Sequence, residues 1–280
     1  MSLLELRRIA RTRKPPAMEI VVASIFLVAL LAAALVPTLF TQLDPLDAQV
    51  NDALQGPSAE HWFGTDQSGR DVFARVVYGA RYSLLVGFGA SAIALVVGLV
   101  IGLLSGLSPK PVDAVIGRVI VIGMAFPEFL LALLVIAIIG AGEGSLVIAI
   151  ALAAIPAYAR VARSQTLVVR SSSYVRSATA LGVPRLASIV RHVIPNTLRP
   201  LLVMATIGVG TAVVTAAGLS FLGLGPEAPT PEWGVILSEG RNLLDRAPWV
   251  AVFPGLVVTL TVICTSVVGR ALQGGARAGR

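Results

Sequence analysis

Six apolar runs, each long enough to cross a lipid bilayer, divide this 280-residue chain, and no water-soluble fold can bury all of them. They are Met18–Phe40, Ser83–Leu107, Val112–Ile139, Ser145 to about Val161, Leu201–Leu224 and Trp249–Val268. A helix needs about 20 residues to span the hydrocarbon core. The fourth run is the shortest and contains Pro156. Charged residues make up 13% of the chain. That is about half the usual share for a soluble domain, so most of the apolar surface must face lipid or other spans. The net charge of +7 does not signal nucleic acid, because the basic residues sit between apolar runs. The expected fold class is an all-α membrane protein with six transmembrane helices.

Loop charge then orients the spans, since short cytoplasmic loops collect Lys and Arg. Residues 1–17 hold Arg7, Arg8, Arg11, Arg13 and Lys14 and are expected in the cytoplasm. Residues 18–40 form the first helix, read as a retained anchor because the apolar stretch exceeds the roughly 7–15 residues of a cleaved signal. Residues 41–82 carry Asp44, Asp47, Asp52, Glu60, Asp66 and Asp71 and belong outside, where they either dock a partner or are simply solvated. Residues 83–270 form a core of five further helices. Within it, the turn Ser108–Pro111 with Lys110 returns inside, and Gly140–Gly144 with Glu143 is an outer turn. No acid occurs between Glu143 and Glu227, a stretch holding Arg160, Arg163, Arg170, Arg176, Arg185, Arg191 and Arg199. That stretch is read as a long cytoplasmic segment. Pro226–Pro248 carries Glu227, Glu232, Glu239 and Asp245 against Arg241 and Arg246 and lies outside. The tail, 271–280, has Arg277 and Arg280, so both termini are cytoplasmic.

The cytoplasmic segment 170–196 has its own pattern. Tyr174–Leu181 reads as a short helix that Gly182 ends in a left-handed conformation. Pro184 suits the start of a second helix, which is expected to run to about Ile194 and to stop at Pro195 and Asn196. The alternative is a plain basic loop, but about 40 residues need their own structure or a partner. Gly98, Gly102 and Gly106 recur every four residues in the second run, a face that lets helices approach closely. Thr206, Thr211, Thr215 and Ser220 either line a pathway or bond back to the preceding helical turn. Glu128 follows Pro127 near the middle of the third run, where a carboxylate must face protein, a water-filled cavity or a partner's cation. Cys264, the single cysteine, cannot form an intramolecular disulfide and reads as a small buried apolar residue.

Catalytic patterns are absent. Lys14 and Lys110 are the only lysines, and neither follows a glycine-rich phosphate loop. His61 and His192 fall on opposite sides of the membrane, so they cannot share a metal or a base role. There is no His-Glu-x-x-His. Gly218-Leu-Ser220-Phe lacks the last glycine of an intramembrane serine protease motif, and the spans supply no histidine to activate Ser220. No catalytic residue and no metal site is assigned.

Tyr174 to Gly182 (Tyr-Val-Arg-Ser-Ala-Thr-Ala-Leu-Gly), followed by Arg191 to Asn196 (Arg-His-Val-Ile-Pro-Asn), resembles the Glu-Ala-Ala loop of ABC importer permeases. Gly182 and Pro195 fall at the matching spacing. Arg176, Ser177 and Ala178 occupy the Glu-Ala-Ala positions, so the Glu is missing. His61–Leu84 and Leu219–Gly225 with Pro231–Gly234 resemble outer segments of the C-type permease in the dipeptide, oligopeptide and nickel branch. The acid-free tail departs from that branch. The resemblance implies a type I importer permease fold in the bacterial plasma (inner) membrane. It also implies a second homologous permease, two cytoplasmic ATPase subunits or domains that hold ATP and Mg, and an extracytoplasmic substrate-binding lipoprotein. The short cytoplasmic helix would be a coupling helix, touching the ATPase through Tyr174, Arg176, Ala178, Leu181 and Gly182, with Pro195 behind it. The cargo expected is di- or oligopeptides, with nickel or another small cargo as the alternative. A stand-alone secondary transporter or channel would have no need of a docking helix.

Overall fold

The computed structural model describes residues 16–278. The basic cluster Arg7–Lys14 and the terminal Arg280 lie outside the described residues. Helix α1 (Ala17–Leu35) ends at Val36 because Pro37 follows, and a 3-10 turn over Pro37–Leu39 leads into the outer loop. Helix α2 (Val72–Leu107) has 36 residues and measures about 54 Å. It starts at Val72 and not at Ser83, so its first turns rise beyond the apolar run into the segment expected to be loop. Asp71 caps it, accepting the Ala74 N–H at 2.6 Å.

The third apolar run is not one helix. It forms α3 (Lys110–Met124) and α4 (Glu128–Ile139), bent by 90° at the break. Pro127 has no N–H to continue the α3 ladder, and its carbonyl starts a new one by accepting Leu131 N–H at 3.0 Å. Glu128, expected near the middle of a continuous span, instead opens the first turn of α4. Helix α5 (Glu143–Arg170) keeps Pro156 within it and continues past Val161 by nine residues to Arg170. Helices α1, α2, α5, the helix ending at Phe221 and the last helix are each long and apolar enough to cross a membrane. The bent α3–α4 pair is together long and apolar enough for a sixth, if the two helices are counted as one span.

The cytoplasmic segment holds α6 (Ser173–Ala180) and α7 (Arg185–Ser188). Pro195 and Asn196 do not stop the second helix. A π-helical turn over Ile189–Val193 carries it straight into α8 (Ile194–Phe221). The wider turn takes the register shift that a proline imposes: Ile194 N–H reaches back to Ile189 O, and Pro195 lies in the first turn of α8, where no donor is needed. Helix α9 (Trp233–Gly240) precedes α10 (Trp249–Ala278).

The pair α2 and α5 makes the most extensive contact among the described helices. A β-carbon on Gly98 would meet Tyr158 Cβ at 2.5 Å, and one on Gly106 would meet Thr166 Cβ at 2.7 Å. A β-carbon on Gly102 would lie 2.6 Å from Arg163 N and 2.7 Å from Ala159 O. Close backbone approach substitutes for bulk here, since lipid supplies no hydrophobic drive between spans. Helix α8 packs on α2 and α10 and completes the bundle. Many apolar residues of α3 and α4, among them Val115, Val119, Leu130 and Ile138, stay exposed.

Candidate functional site

Beside the break at Pro127 lies a cavity of about 520 Å³, between α2, α4, α5, α8 and α10. That volume suits a small-molecule site. Glu128 enters it from the first turn of α4, with Ser91 of α2, Tyr158 and Gln165 of α5 and Thr211 of α8. Tyr158 is 3% exposed, and its hydroxyl faces Ser91. Of the five residues that the sequence offers for a pathway, Glu128 and Thr211 share this cavity, and Ser220 is buried outside it. Thr206 does not join them. It faces a separate apolar cleft with Leu27, Leu84 and Phe88, and its hydroxyl donates to Leu202 O at 3.0 Å. Thr211 likewise donates to Gly208 O at 2.9 Å. Thr215 lines neither cavity. Cys264 is buried in a small cluster with Ala23 and Val267.

On the arginine-rich side, α6 ends in a Schellman geometry. Val183 N–H bonds Ala178 O at 3.1 Å and Gly182 takes φ +84°. Among the described residues nothing lies within 4 Å of a β-carbon placed on Gly182, so its requirement is one of backbone conformation. Leu181 is 85% exposed, and Tyr174, Arg176 and Pro195 are also exposed. Ala178 is half-buried and Val175 is the inward anchor. Tyr174 meets His192 edge-on, ring centroids 6.0 Å apart, which ties α6 to the π-helical turn. Nearby, Arg163 grips Asp113 through Nε at 2.6 Å and Nη2 at 2.8 Å, and Ser105 donates to the same carboxylate at 2.6 Å. This ion pair fixes α3 to α5 and α2. Sequence reading missed it, although Asp113, the single carboxylate of α3, was the available signal.

The opposite end carries a folded cap: Asp44, Asp47 and Glu60 of the acidic loop are exposed, and Asp66 and Asp71 are buried. Asp66 is fully buried and accepts Arg70 Nε and Arg75 Nη1, both at 2.7 Å. Glu239 of α9 closes the group, accepting Arg75 Nη1 at 2.6 Å and Arg70 Nη2 at 3.3 Å. His61 Nδ1 lies 2.8 Å from Asp71 Oδ2. Trp233 is fully buried and donates its indole N–H to Val76 O at 2.9 Å. Trp249 donates to Thr65 O at 3.0 Å. Glu232, 1% exposed, caps α9 by accepting Val235 N–H at 3.0 Å, and Ser83 Oγ donates to it at 3.3 Å.

Burial holds the Glu232 carboxyl above its ordinary value of 4.5. The folded cap therefore binds a proton more tightly than the unfolded chain does. Glu232 contributes full stability below about pH 4.5, and that contribution is lost as pH rises through the raised value. Glu232→Gln keeps an acceptor and removes the buried charge. It is expected to melt higher than the parent at about pH 8 and no higher at about pH 4. A variant that melts lower at both values rejects this reading.

Residues 98–277 match the family described as binding-protein-dependent transport system inner membrane component. The chain is 42% identical over 254 residues to the dipeptide transport system permease protein DppC of Alkalihalophilus pseudofirmus, covering 91% of this chain and 82% of that protein. It is 39% identical over 252 residues to the glutathione transport system permease protein GsiD of Escherichia coli, covering 90% and 83%. Among solved structures, the MetNI methionine ABC transporter in an inward-facing conformation aligns with TM-score 0.56 at 20% identity, over 71% of this chain and 96% of that one. An amino acid ABC transporter crystallised with histidines aligns at 0.56 and 17% identity, over 74% and 94%. At such identities the two structures share the fold, a type I importer permease architecture. With the family match over most of the bundle and relatives near 40% identity along nearly the whole chain, this protein belongs to the multi-pass inner-membrane components of binding-protein-dependent transport systems.

Proposed function

We propose that this chain is one of two homologous permeases in an ATP-driven importer of dipeptides or other short peptides. The observation that carries the reading is α6: a short exposed helix, fixed at its end by Gly182 and hung between the two long helices α5 and α8. Such a helix transmits motion from a partner beneath it. Two cytoplasmic ATPases hold ATP and Mg. Their closure moves Tyr174, Arg176, Ala178, Leu181 and Gly182 as a unit, and the continuous helix through Pro195 carries that displacement into α8. The bundle then switches between two access states as a rigid body. The exposed apolar faces of α3 and α4 meet the second permease. Cargo crosses beside Glu128, Tyr158 and Thr211, and a binding lipoprotein delivers it onto the cap formed by 41–71 and α9. The arginine-rich side and both termini are cytoplasmic. The 42% identity to a dipeptide permease supports the dipeptide cargo.

The test uses the whole importer in proteoliposomes with the dipeptide-loaded binding protein. Gly182→Asp costs about 1 kcal/mol of backbone strain and puts a charge on the docking surface. Stimulated ATPase and uptake are expected to fall at least about tenfold, while dipeptide affinity of the binding protein is unchanged. Ser108→Asp, in the other inner turn, is expected to leave both near the parent level. A cysteine at Pro57 is expected to react with an impermeant reagent from outside, and one at Lys110 only after permeabilisation. Parent-level uptake in Gly182→Asp removes α6 from the mechanism, and an externally labelled Lys110 position inverts the orientation.

A further inference from the structure

A second cavity, about 360 Å³, lies beneath α6, where α2 and α5 end. Arg170, the last residue of α5, and Arg185, the first of α7, stand at its edge, with Ser171 and Ser188 beside them. Its remaining walls are Leu107, Val175, Ile189 and Val193. We propose that this cavity holds the phosphate headgroup of an anionic phospholipid. The site owes nothing to the cargo or to the ATPases.

Three observations converge on that ligand. The first is charge. The stretch from Arg160 to Arg199 holds seven arginines and no acid, and Arg163 is the one neutralised by an ion pair, with Asp113, among the described residues. Arg170 donates through Nη1 to Gly106 O, and Arg185 through Nη2 to Leu107 O at 3.2 Å. Both bonds satisfy carbonyls at the C-terminal end of α2, where cations are favoured. A guanidinium carries five N–H donors, so each side chain is positioned by one bond with donors left for an anion. The second is Ser188, 4% exposed on the cavity wall, whose hydroxyl has no hydrogen-bond partner among the described residues. A buried polar group without a partner is costly, and a phosphate oxygen would satisfy it. The third is the mixture of walls. A free phosphate ion gains nothing from Leu107, Ile189 and Val193, whereas the glycerol and upper acyl carbons of a phospholipid do. The cavity also sits at the ends of two membrane-crossing helices, the depth at which headgroups lie, and basic pockets between such helices recruit anionic lipids. Arginine binds phosphate as a planar fork, so geometry as well as charge favours the ligand.

The test is native mass spectrometry on the full chain, titrated separately with phosphatidylglycerol, phosphatidylcholine and inorganic phosphate. The parent is expected to retain one phosphatidylglycerol at least about tenfold more tightly than phosphatidylcholine, as one or two charge-assisted bonds imply. Excess inorganic phosphate should not displace it. Arg170→Gln/Arg185→Gln is expected to erase the preference. Because both arginines also cap α2, Ser171→Trp serves as the second variant. It fills the cavity, leaves the caps in place and is expected to erase the preference as well. Equal retention of the two lipids, displacement by inorganic phosphate, or a preference that survives Ser171→Trp would each overturn the proposal. So would loss of the lipid from this chain within the assembled importer, which would hand the cavity to an acidic segment of a partner.

Discussion

Gly102→Ala is expected to cut the yield of folded, detergent-extractable protein about tenfold or more, while Gly89→Ala on the same helix stays within about twofold of the parent. Both substitutions add one methyl group to α2. At Gly102 the new atom meets main-chain atoms of α5, Arg163 N at 2.6 Å and Ala159 O at 2.7 Å, which cannot rotate away. At Gly89 it meets the side chain of Val147 at 3.3 Å, which can shift by a few tenths of an ångström. Helix α5 would have to move off α2 along their closest line of approach. That displacement loosens Tyr158 on one side and the Arg163–Asp113 pair on the other. Overpacking usually costs about 1–3 kcal/mol, and here no flexible neighbour absorbs it. Fluorescence-detected size exclusion of tagged variants reads the yield. A Gly102→Ala profile matching the parent would show that α2 and α5 can separate freely.

The spans were legible because membrane insertion responds to composition over about twenty residues, and each apolar run supplies that signal. Every run begins or ends a helix within a few turns of the expected residue. Gly98, Gly102 and Gly106 were legible for a similar reason: a four-residue period needs no knowledge of the partner to imply a close-packing face. The break at Pro127 was not. Pro156, Pro200 and Pro254 all remain inside helices, so a proline in an apolar run does not by itself mark a bend. At Pro127 the chain bends by 90°, and at Pro195 a π-helical turn removes the bend that the residue would otherwise impose. Which outcome follows depends on what packs around the freed carbonyls, and that is set by helices distant in sequence. The cavity was half legible. Glu128 stood out as a costly charge, whereas Tyr158 looks like any interfacial aromatic until it is seen to line the same cavity. Counting acids divides the loops into two sets. It missed that Asp66, Asp71 and Glu232 are buried structural groups, while Asp44, Asp47 and Glu60 are exposed.

Arg75→Met should open the cap and leave the spans intact. Arg75 is fully buried and joins three segments, Asp66 of the outer loop, its own helix α2 and Glu239 of α9. Its Nη2 also donates to Pro229 O at 3.3 Å. Methionine fills much of the same volume but supplies no donor, so the Asp66 and Glu239 carboxylates are left to Arg70 alone. Removing one partner of a buried ion pair costs about 3–5 kcal/mol, because the remaining charge stays desolvated. The helices keep their lipid-facing and glycine-mediated packing, so the loss falls on the cap. When opening is fast relative to cleavage, protease sensitivity follows the open population. The cut between residues 41 and 71 should then accelerate at least about a hundredfold. Arg75→Met/Glu239→Leu removes both members of one pair and is expected to recover part of that loss, which double-mutant arithmetic reads directly. Limited proteolysis of right-side-out vesicles, with the α2–α5 bundle as the internal standard, makes the measurement. If the single variant is cut at the parent rate, the arginine–carboxylate group is not what holds the outer loop to α9, and the two tryptophan anchors at Trp233 and Trp249 must suffice.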